Sequence, residues 1–354
     1  MDDIYIGNKA IGIGKKPFII AEISGNHGGS LKRALELIEK VSLTGADAVK
    51  FQTYTPDTIT IKSNREEFII DDPDSLWFGR SLYDLYQEAH TPWEWHSSMF
   101  KKARELGLEV FSSPFDLSAV DFLEDLDVGA YKIASLELTD VQLIQKVAET
   151  KKPLIMSTGG ASLIDIEKAV NVARKNGSME IILLKCTSSY PAAPEDANLR
   201  SMPSLGEIFG CHFGLSDHTL GISGSLASIA LGATVIERHF IDDKAYNTVD
   251  SAFSLDQKEF TSLVEQANIV WKSLGSEKIK PSSSEATSVS HKRSIYVVKD
   301  VRAGEEFTFA NLKSIRPGSG LAVEFLNDFI GKKSCINIES GTPLSWGHLD
   351  TTNP

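Results

Sequence analysis

Residues 213–221, FGLSDHTLG, and residues 235–240, VIERHF, follow one plan. Each opens as a short apolar run of the kind a buried strand needs, Phe213–Leu215 in the first and Val235–Ile236 in the second. Each then turns polar at once, into Ser216, Asp217 and His218 and into Glu237, Arg238 and His239. Between them SGSLASIALG has helical spacing, so the unit reads strand, helix, strand. Two consecutive strands thus present a histidine at the same end.

The alternation extends outward from this pair over residues 17–275. Residues 17–24 (PFIIAEIS) lead into the helix-period segment 30–45. Residues 47–54 (DAVKFQTY) lead, after a long insertion, into 91–107, and 108–114 (LEVFSSP) into 116–127. Residues 130–135 (AYKIAS) lead into 140–150, 153–158 (PLIMST) into 162–177, and 180–187 (EIILLKCT) into 198–210. VIERHF leads into 256–275. Strands that are apolar throughout, rather than alternating, imply a parallel sheet buried on both faces. Eight such units in about 250 residues predict an α/β fold of the (β/α)8 TIM-barrel type. An open doubly wound sheet is the competing architecture. Its usual phosphate loops are absent: no G-x-G-x-x-G or G-x-x-x-x-G-K-[ST] follows a strand.

At residue 276 the texture changes. SEKIKPSSSEATSVS is polar and serine-rich, and residues 276–290 read as a linker. Residues 291–354 offer short strands, glycine turns and one small helix. A β-rich segment of that size is marginal alone, which predicts that it docks on another surface. The expected organisation is a barrel over 1–275, a linker over 276–290 and a small tail domain over 291–354.

Bulk properties narrow the function classes. The net charge of −12 argues against a nucleic-acid or anionic-membrane partner. An anionic substrate would have to be attracted by local lysines and arginines. Cys186, Cys211 and Cys335 are scattered and odd in number, which argues against a disulfide framework or a cysteine-based zinc site and fits a reducing cytosol. The start, MDDIYIGNKAIGIGKKPF, is acid-led without the apolar core of a signal peptide, and no run of eighteen apolar residues occurs. The expected location is the cytoplasm.

In a barrel of this type chemistry sits at the C-terminal ends of the strands. There the sequence places Glu22 and Asn26–His27, Lys50 and Gln52, Ser112–Ser113, then Lys132, Ser135 and Glu137. Ser157–Thr158–Gly159, then Lys185, Thr187 and Tyr190, then Ser216–Asp217–His218, and Glu237 with His239 complete the set. Singly, each has a structural reading: a salt-bridged lysine, a helix-capping serine, a barrel ion-pair partner in Glu237, a turn in Asn26–His27. Polar groups at one end of all eight strands, with apolar middles, are more than packing requires. Three lysines and several hydroxyls suit a phosphate or a carboxylate. Two histidines without a cysteine suit a divalent metal with open positions, an arrangement for Lewis-acid catalysis rather than a structural zinc site.

The motifs FIIAEISGNHGGS, GADAVKFQT, FSSPFD, YKIAS, IMSTG, SSYP, GLSDHT and VIERHF, in this order, resemble the sialic acid synthase family over nearly the whole chain. The tail with IRPGSG resembles the antifreeze-like (SAF) domain that ends those enzymes. The resemblance implies condensation of phosphoenolpyruvate with an aminosugar aldehyde, with a divalent metal such as manganese, magnesium or cobalt. It implies that His218 and His239 hold the metal, and that Lys50, Ser113, Lys132, Ser135, Ser157 and Ser216 bind phosphoenolpyruvate. It assigns acid–base work to Glu22, sugar contacts to Gln52, Tyr190 and Asp250, and a place near the reacting carbons to Glu137. It further implies a domain-swapped homodimer in which Arg316 of one subunit's tail reaches the sugar of the other. TYTPD (53–57), TPWEWH (91–96) and KCTSSYP (185–191) are similar to the pseudaminic acid branch, whose sugar is 2,4-diacetamido-2,4,6-trideoxy-L-altrose. The N-acetylneuraminic acid enzymes carry HCNTEYP at the last stretch, so the family's donor-contacting asparagine is Thr187 here.

Three alternatives stand beside this expectation. One is an N-acetylneuraminic or legionaminic acid synthase using a mannosamine-type sugar. The second is a Schiff-base aldolase with Lys132 or Lys185 as nucleophile and pyruvate as donor. The third is a barrel kept as a scaffold, with the tail as a binding module.

Overall fold

The computed structural model describes residues 1–276 and 278–350. Residue 277 of the expected linker and residues 351–354 of the expected tail lie outside them. The chain forms two compact units, one over Met1–Gly275 and one from Ser276 onward.

The first unit opens with an antiparallel hairpin, β1 (Ile4–Ile6) and β2 (Lys9–Ile11). Eight parallel strands follow: β3 (Phe18–Glu22), β4 (Ala48–Thr53), β5 (Glu109–Pro114), β6 (Tyr131–Ile133), β7 (Leu154–Ser157), β8 (Ile181–Cys186), β9 (His212–Ser216) and β10 (Val235–His239). They pair in sequence order and β10 closes back on β3, a complete barrel. Helices form where capping chemistry starts them. Ser30 accepts from the Arg33 backbone N–H before Leu31–Thr44, and Asp256 with Glu259 makes a capping box before Gln257–Leu274.

The continuous apolar character of the strands resolves into two cores. Ile19, Val49, Phe51, Ile133, Met156, Leu183 and Ile236 face outward and pack under the helices. Ile20, Ala48, Phe111, Ala130, Ile155, Leu184 and Val235 face inward and fill the barrel floor together with Ile4, Ile6 and Ile11 of the hairpin. Burial of one such aliphatic side chain contributes ~1.5–3 kcal/mol. On β9 the inward position is Gly214, where a Cβ would collide with the Val235 carbonyl oxygen, so the close approach of β9 to β10 needs a glycine.

The second unit has its own core of Ile295, Val297, Val301, Phe307, Leu312 and Phe329. Its antiparallel pair is β11 (Ser294–Val297) with β12 (Leu312–Ile315), and a short helix spans Leu326–Phe329. The stretch read from sequence as a plain linker includes a 3-10 turn at Ser283–Glu285 and a helical turn at Ala286–Ser290. Ser282 and Glu285 cap it reciprocally, a local signal that a reading for apolar period does not detect. Among the described residues no helix is long and apolar enough to cross a membrane.

Candidate active site

The site follows from the two-residue period of a strand. Two positions beyond each inward apolar residue comes the next inward residue. Counting round the barrel, those residues are Glu22, Lys50, Ser113, Lys132, Ser157, Cys186, Ser216 and Glu237. All eight line one small cavity of about 60 Å³. The apolar floor thus ends at the same level on every strand and a polar ring begins there. His218 and His239, two positions on again, stand above the ring and line the same cavity.

The ring is held by charge. Lys50 pairs with Glu22, lies 3.6 Å from Glu237 Oε1 and donates to Ser113 Oγ at 3.3 Å. Lys132 reaches the same Glu237 oxygen at 3.5 Å, and Ser216 Oγ donates to it at 3.4 Å. Burial pushes the Glu22 carboxyl up to about 7, with the neighbouring Glu237 adding to the effect against the pull of Lys50. Burial alone would depress Lys50, but Glu22 and Glu237 reverse the direction and hold its ammonium above the ordinary range. Lys132 is pushed down by burial. For Glu237 burial acts upward, yet the two lysines carry it below the usual carboxylate range. Ser157 Oγ is buried without a hydrogen-bond partner. Ser135 Oγ accepts from the Gly159 N–H at 3.1 Å, which leaves its own proton to donate, and a Cβ at Gly159 would strike Ser188 Oγ.

The histidine rings lie 5.4 Å apart, centroid to centroid. His218 Nδ1 is 2.9 Å from the Thr187 carbonyl, so this nitrogen carries a proton and Nε2 keeps its lone pair in the neutral ring; burial acts downward on this ring, but Cys186 and the Thr187 carbonyl hold it above its ordinary value. His239 is held well below its ordinary value by burial and then by His218, and its Nδ1 is buried with no hydrogen-bond partner, 3.9 Å from Asp250 Oδ2. Among the described residues no group of three or more His, Cys, Asp and Glu is arranged to hold a metal.

Above the ring opens a second cavity of about 560 Å³ that shares Gln52, Ser135, Tyr190 and His239 with the first. Glu137 and Asp250 line it, and burial pushes Glu137 up to about 7. Its remaining walls are largely apolar and aromatic, with Tyr54, Ile70, Trp77, Leu85, Tyr86 and Phe115 prominent.

Residues 37–279 match the NeuB family and residues 292–350 match the SAF domain. This chain belongs to the NeuB family. As a NeuB-family member it is 45% identical to the pseudaminic acid synthase of Helicobacter pylori, over 93% of this chain and 96% of that protein. It is 44% identical to the pseudaminic acid synthase of Campylobacter jejuni over 94% of this chain and 96% of the relative. The crystal structure of the N-acetylneuraminic acid synthetase of Leptospira borgpetersenii superposes with a TM-score of 0.73 at 31% identity, covering 81% of this chain and 95% of that one.

In this NeuB-family barrel the residues singled out from sequence divide between the two cavities. Glu22, Lys50, Ser113, Lys132, Ser157, Ser216 and His218 meet in the inner cavity, Gln52, Ser135, Tyr190 and His239 border both cavities, and Glu137 and Asp250 line the outer one. Arg316 is exposed in the second unit, just past β12. The third lysine of the sequence reading, Lys185, is corrected: it sits one position before inward Cys186, so it faces away, and its Nζ donates to the Cys186 carbonyl at 3.0 Å. Asp217 likewise turns outward, onto buried Arg238 at 2.9 Å, and Ser112 onto Thr53 at 2.7 Å. Asn26 is structural, its Nδ2 donating to the Phe240 carbonyl at 2.9 Å and to Ser254 Oγ at 2.8 Å. Thr187 donates its hydroxyl to the Asp196 carbonyl at 3.0 Å and offers its own carbonyl to His218. Sequence reasoning missed Cys186, whose Sγ lies 3.8 Å from His218 Nδ1, although a two-residue count from Leu184 reaches it.

Proposed function

We propose that this chain condenses phosphoenolpyruvate with 2,4-diacetamido-2,4,6-trideoxy-L-altrose, giving pseudaminic acid and phosphate. The observation that carries the reading is the inward ring, in which two lysines and three serines stand beneath a histidine pair and open into a largely apolar cavity. The H. pylori and C. jejuni relatives support the choice of sugar.

His218 and His239 fit a divalent metal. One ring has Nδ1 committed to the Thr187 carbonyl, the other is neutral with an unsatisfied buried nitrogen, and among the described residues no third side chain closes the set. The remaining positions fall to water or substrate oxygen. Such an ion, manganese, magnesium or cobalt, supplies Lewis-acid polarisation of the aldehyde. Lys50 and Lys132 neutralise the donor's phosphate and carboxylate, and the hydroxyls of Ser113, Ser135, Ser157 and Ser216 orient it. C3 of phosphoenolpyruvate bonds to the aldehyde carbon, water adds at C2, and the tetrahedral centre expels phosphate. Glu22 and Glu137, each pushed up to about 7 by burial, take and return the water's protons in this reading. Gln52, Tyr190 and Asp250 hold the sugar.

Phosphate release with phosphoenolpyruvate and the altrose derivative, lost in EDTA and restored by manganese, is the expected result. The lowered Lys132 favours one rival, the Schiff-base aldolase. Borohydride trapping of pyruvate on Lys132, with activity indifferent to EDTA, would replace the proposal. Preference for N-acetylmannosamine would move the chain to the other branch. The same reading makes the protein a cytoplasmic homodimer in which Arg316 serves the partner's sugar cavity. Co-expression of Lys50→Ala with Arg316→Ala then restores about a quarter of sites, because mixed dimers form at random and one of their two sites carries neither lesion. No rescue in proven mixed dimers excludes the swapped arrangement.

A further inference from the structure

The walls of the outer cavity come from two sources that differ in polarity. Its barrel side brings the polar groups, Ser24, Gln52, Ser135, Glu137 and Asp250, among Phe115 and Leu136. Its far side comes from the insertion between β4 and the helix Trp93–Glu105, which contributes Ile59, Ile70, Trp77, Leu82, Leu85 and Tyr86. Within the insertion a loop closes on itself. Ile69 bridges Ser81, the Ile70 N–H donates to the Arg80 carbonyl at 2.9 Å, and the Gly79 N–H donates to the Ile70 carbonyl at 2.8 Å. The loop carries the run Leu76–Trp77–Phe78, in which Leu76 and Phe78 are exposed and Trp77 is turned into the cavity. The Trp77 indole N–H donates to the Val249 carbonyl at 3.2 Å, and its ring lies 5.8 Å from that of Tyr190. Trp77 therefore ties the loop to the segment after β10, beside Asp250.

That hydrogen bond uses the one donor the indole has. What Trp77 shows the cavity is an apolar ring. A ligand hydroxyl pressed against it would lose water and gain no partner, whereas a methyl would gain buried area.

We propose that Trp77 is the specificity wall for the non-reacting end of the acceptor, selecting acetamido sugars that end in a methyl over those that end in a hydroxymethyl. The inference rests on the function proposed above and locates its sugar preference in one side chain of the insertion. The polar barrel side receives the aldehyde and its neighbouring substituents, and the insertion side receives the deoxy carbon. A hydrophobic wall rejects an added hydroxyl by about 10²-fold at most, so that is the ceiling of the effect.

The test compares kcat/KM for the 6-deoxy diacetamido sugar and for its 6-hydroxy counterpart in the wild type, Trp77→Ala and Trp77→Phe, with N-acetylmannosamine as the control for the functional reading. The wild type prefers the deoxy sugar. Trp77→Ala narrows the preference about tenfold, chiefly through KM of the deoxy sugar, with KM for phosphoenolpyruvate within about twofold of wild type. Trp77→Phe loses the bond to Val249 but keeps an apolar ring, and it retains most of the preference. An unchanged ratio in Trp77→Ala, with the wild-type preference intact, overturns the wall and leaves the functional reading standing. Equal loss in the Phe and Ala variants also overturns it, since the Val249 bond would then carry the effect. A wild type that prefers N-acetylmannosamine, or turns over neither sugar, defeats the functional reading and this inference with it. Retained KM for phosphoenolpyruvate and an unchanged thermal midpoint establish that the variants are folded.

Discussion

The inner pocket, about 60 Å³, is walled by a charged ring on eight strands, whereas the outer cavity, about 560 Å³, is walled largely by aromatic and aliphatic side chains on loops and short helices outside the strands. The ring residues are placed by the hydrogen-bonded ladder of a closed barrel, which fixes each side chain's direction and height. The outer wall is placed by an insertion whose tip is joined to the segment after β10 by the bond from Trp77 to Val249. Chemistry shared by a family suits the first kind of construction, and choice among sugars suits the second, because loops can change without disturbing the ladder.

The sharpest way to break this division is at a histidine that belongs to both cavities. His239→Ala, and equally His218→Ala, should lower kcat by on the order of 10³-fold or more while circular dichroism stays unchanged. Added manganese should not restore either variant. Appreciable turnover in both would remove the histidine pair from the reaction.

Lys50→Met tests the inner pocket alone. Loss of a desolvated ion pair to the donor is worth on the order of 2–4 kcal/mol, a rise of about 10²-fold in KM for phosphoenolpyruvate with KM for the sugar nearly constant. The same change leaves the Glu22 and Glu237 carboxylates buried without one of their cations, so denaturant unfolding should show a loss of about 3–5 kcal/mol. Trp77→Ala should show no comparable loss. Equal shifts in both KM values for Lys50→Met would erase the distinction between the cavities.

The smallest effect concerns pH. Burial raises Glu137 from 4.5 to about 7, so its neutral form is favoured in the folded protein. The stability this contributes is fully present below pH 4.5 and is lost as pH rises through 7. Glu137→Gln removes the titration. Its melting temperature should match the wild type in acid and exceed it by about 2–4 °C above neutrality. A constant difference across the range would place Glu137 in water rather than against the cavity wall.

The sequence made the barrel legible because a strand buried on both faces has to be apolar along its length, and each run here is interrupted where Glu22, Lys50, Ser112 or Ser216 begins. The ring is legible for the same reason, at single-residue cost: Lys185 reads as a site lysine although it lies one position off the inward register, and Cys186, which lies on it, has no charge to mark it. The hairpin that plugs the barrel floor was also missed, though Ile4, Ile6 and Ile11 alternate around a Gly7–Asn8 turn in the manner of a hairpin.

Sequence alone determined the eightfold alternation, the position of polar groups at one end of each strand, the change of texture at residue 276 and the identity of the histidine pair. These are properties of local period and order, which a linear string records. Only the tertiary structure decided that Glu237 would accept two lysines at one oxygen, that Thr187 would fix the His218 tautomer, and that Trp77 would reach the cavity across 172 residues to Val249. Each of those depends on which strands close beside one another and how far an insertion folds back. That geometry is set by packing of the whole barrel, and no spacing within the sequence contains it.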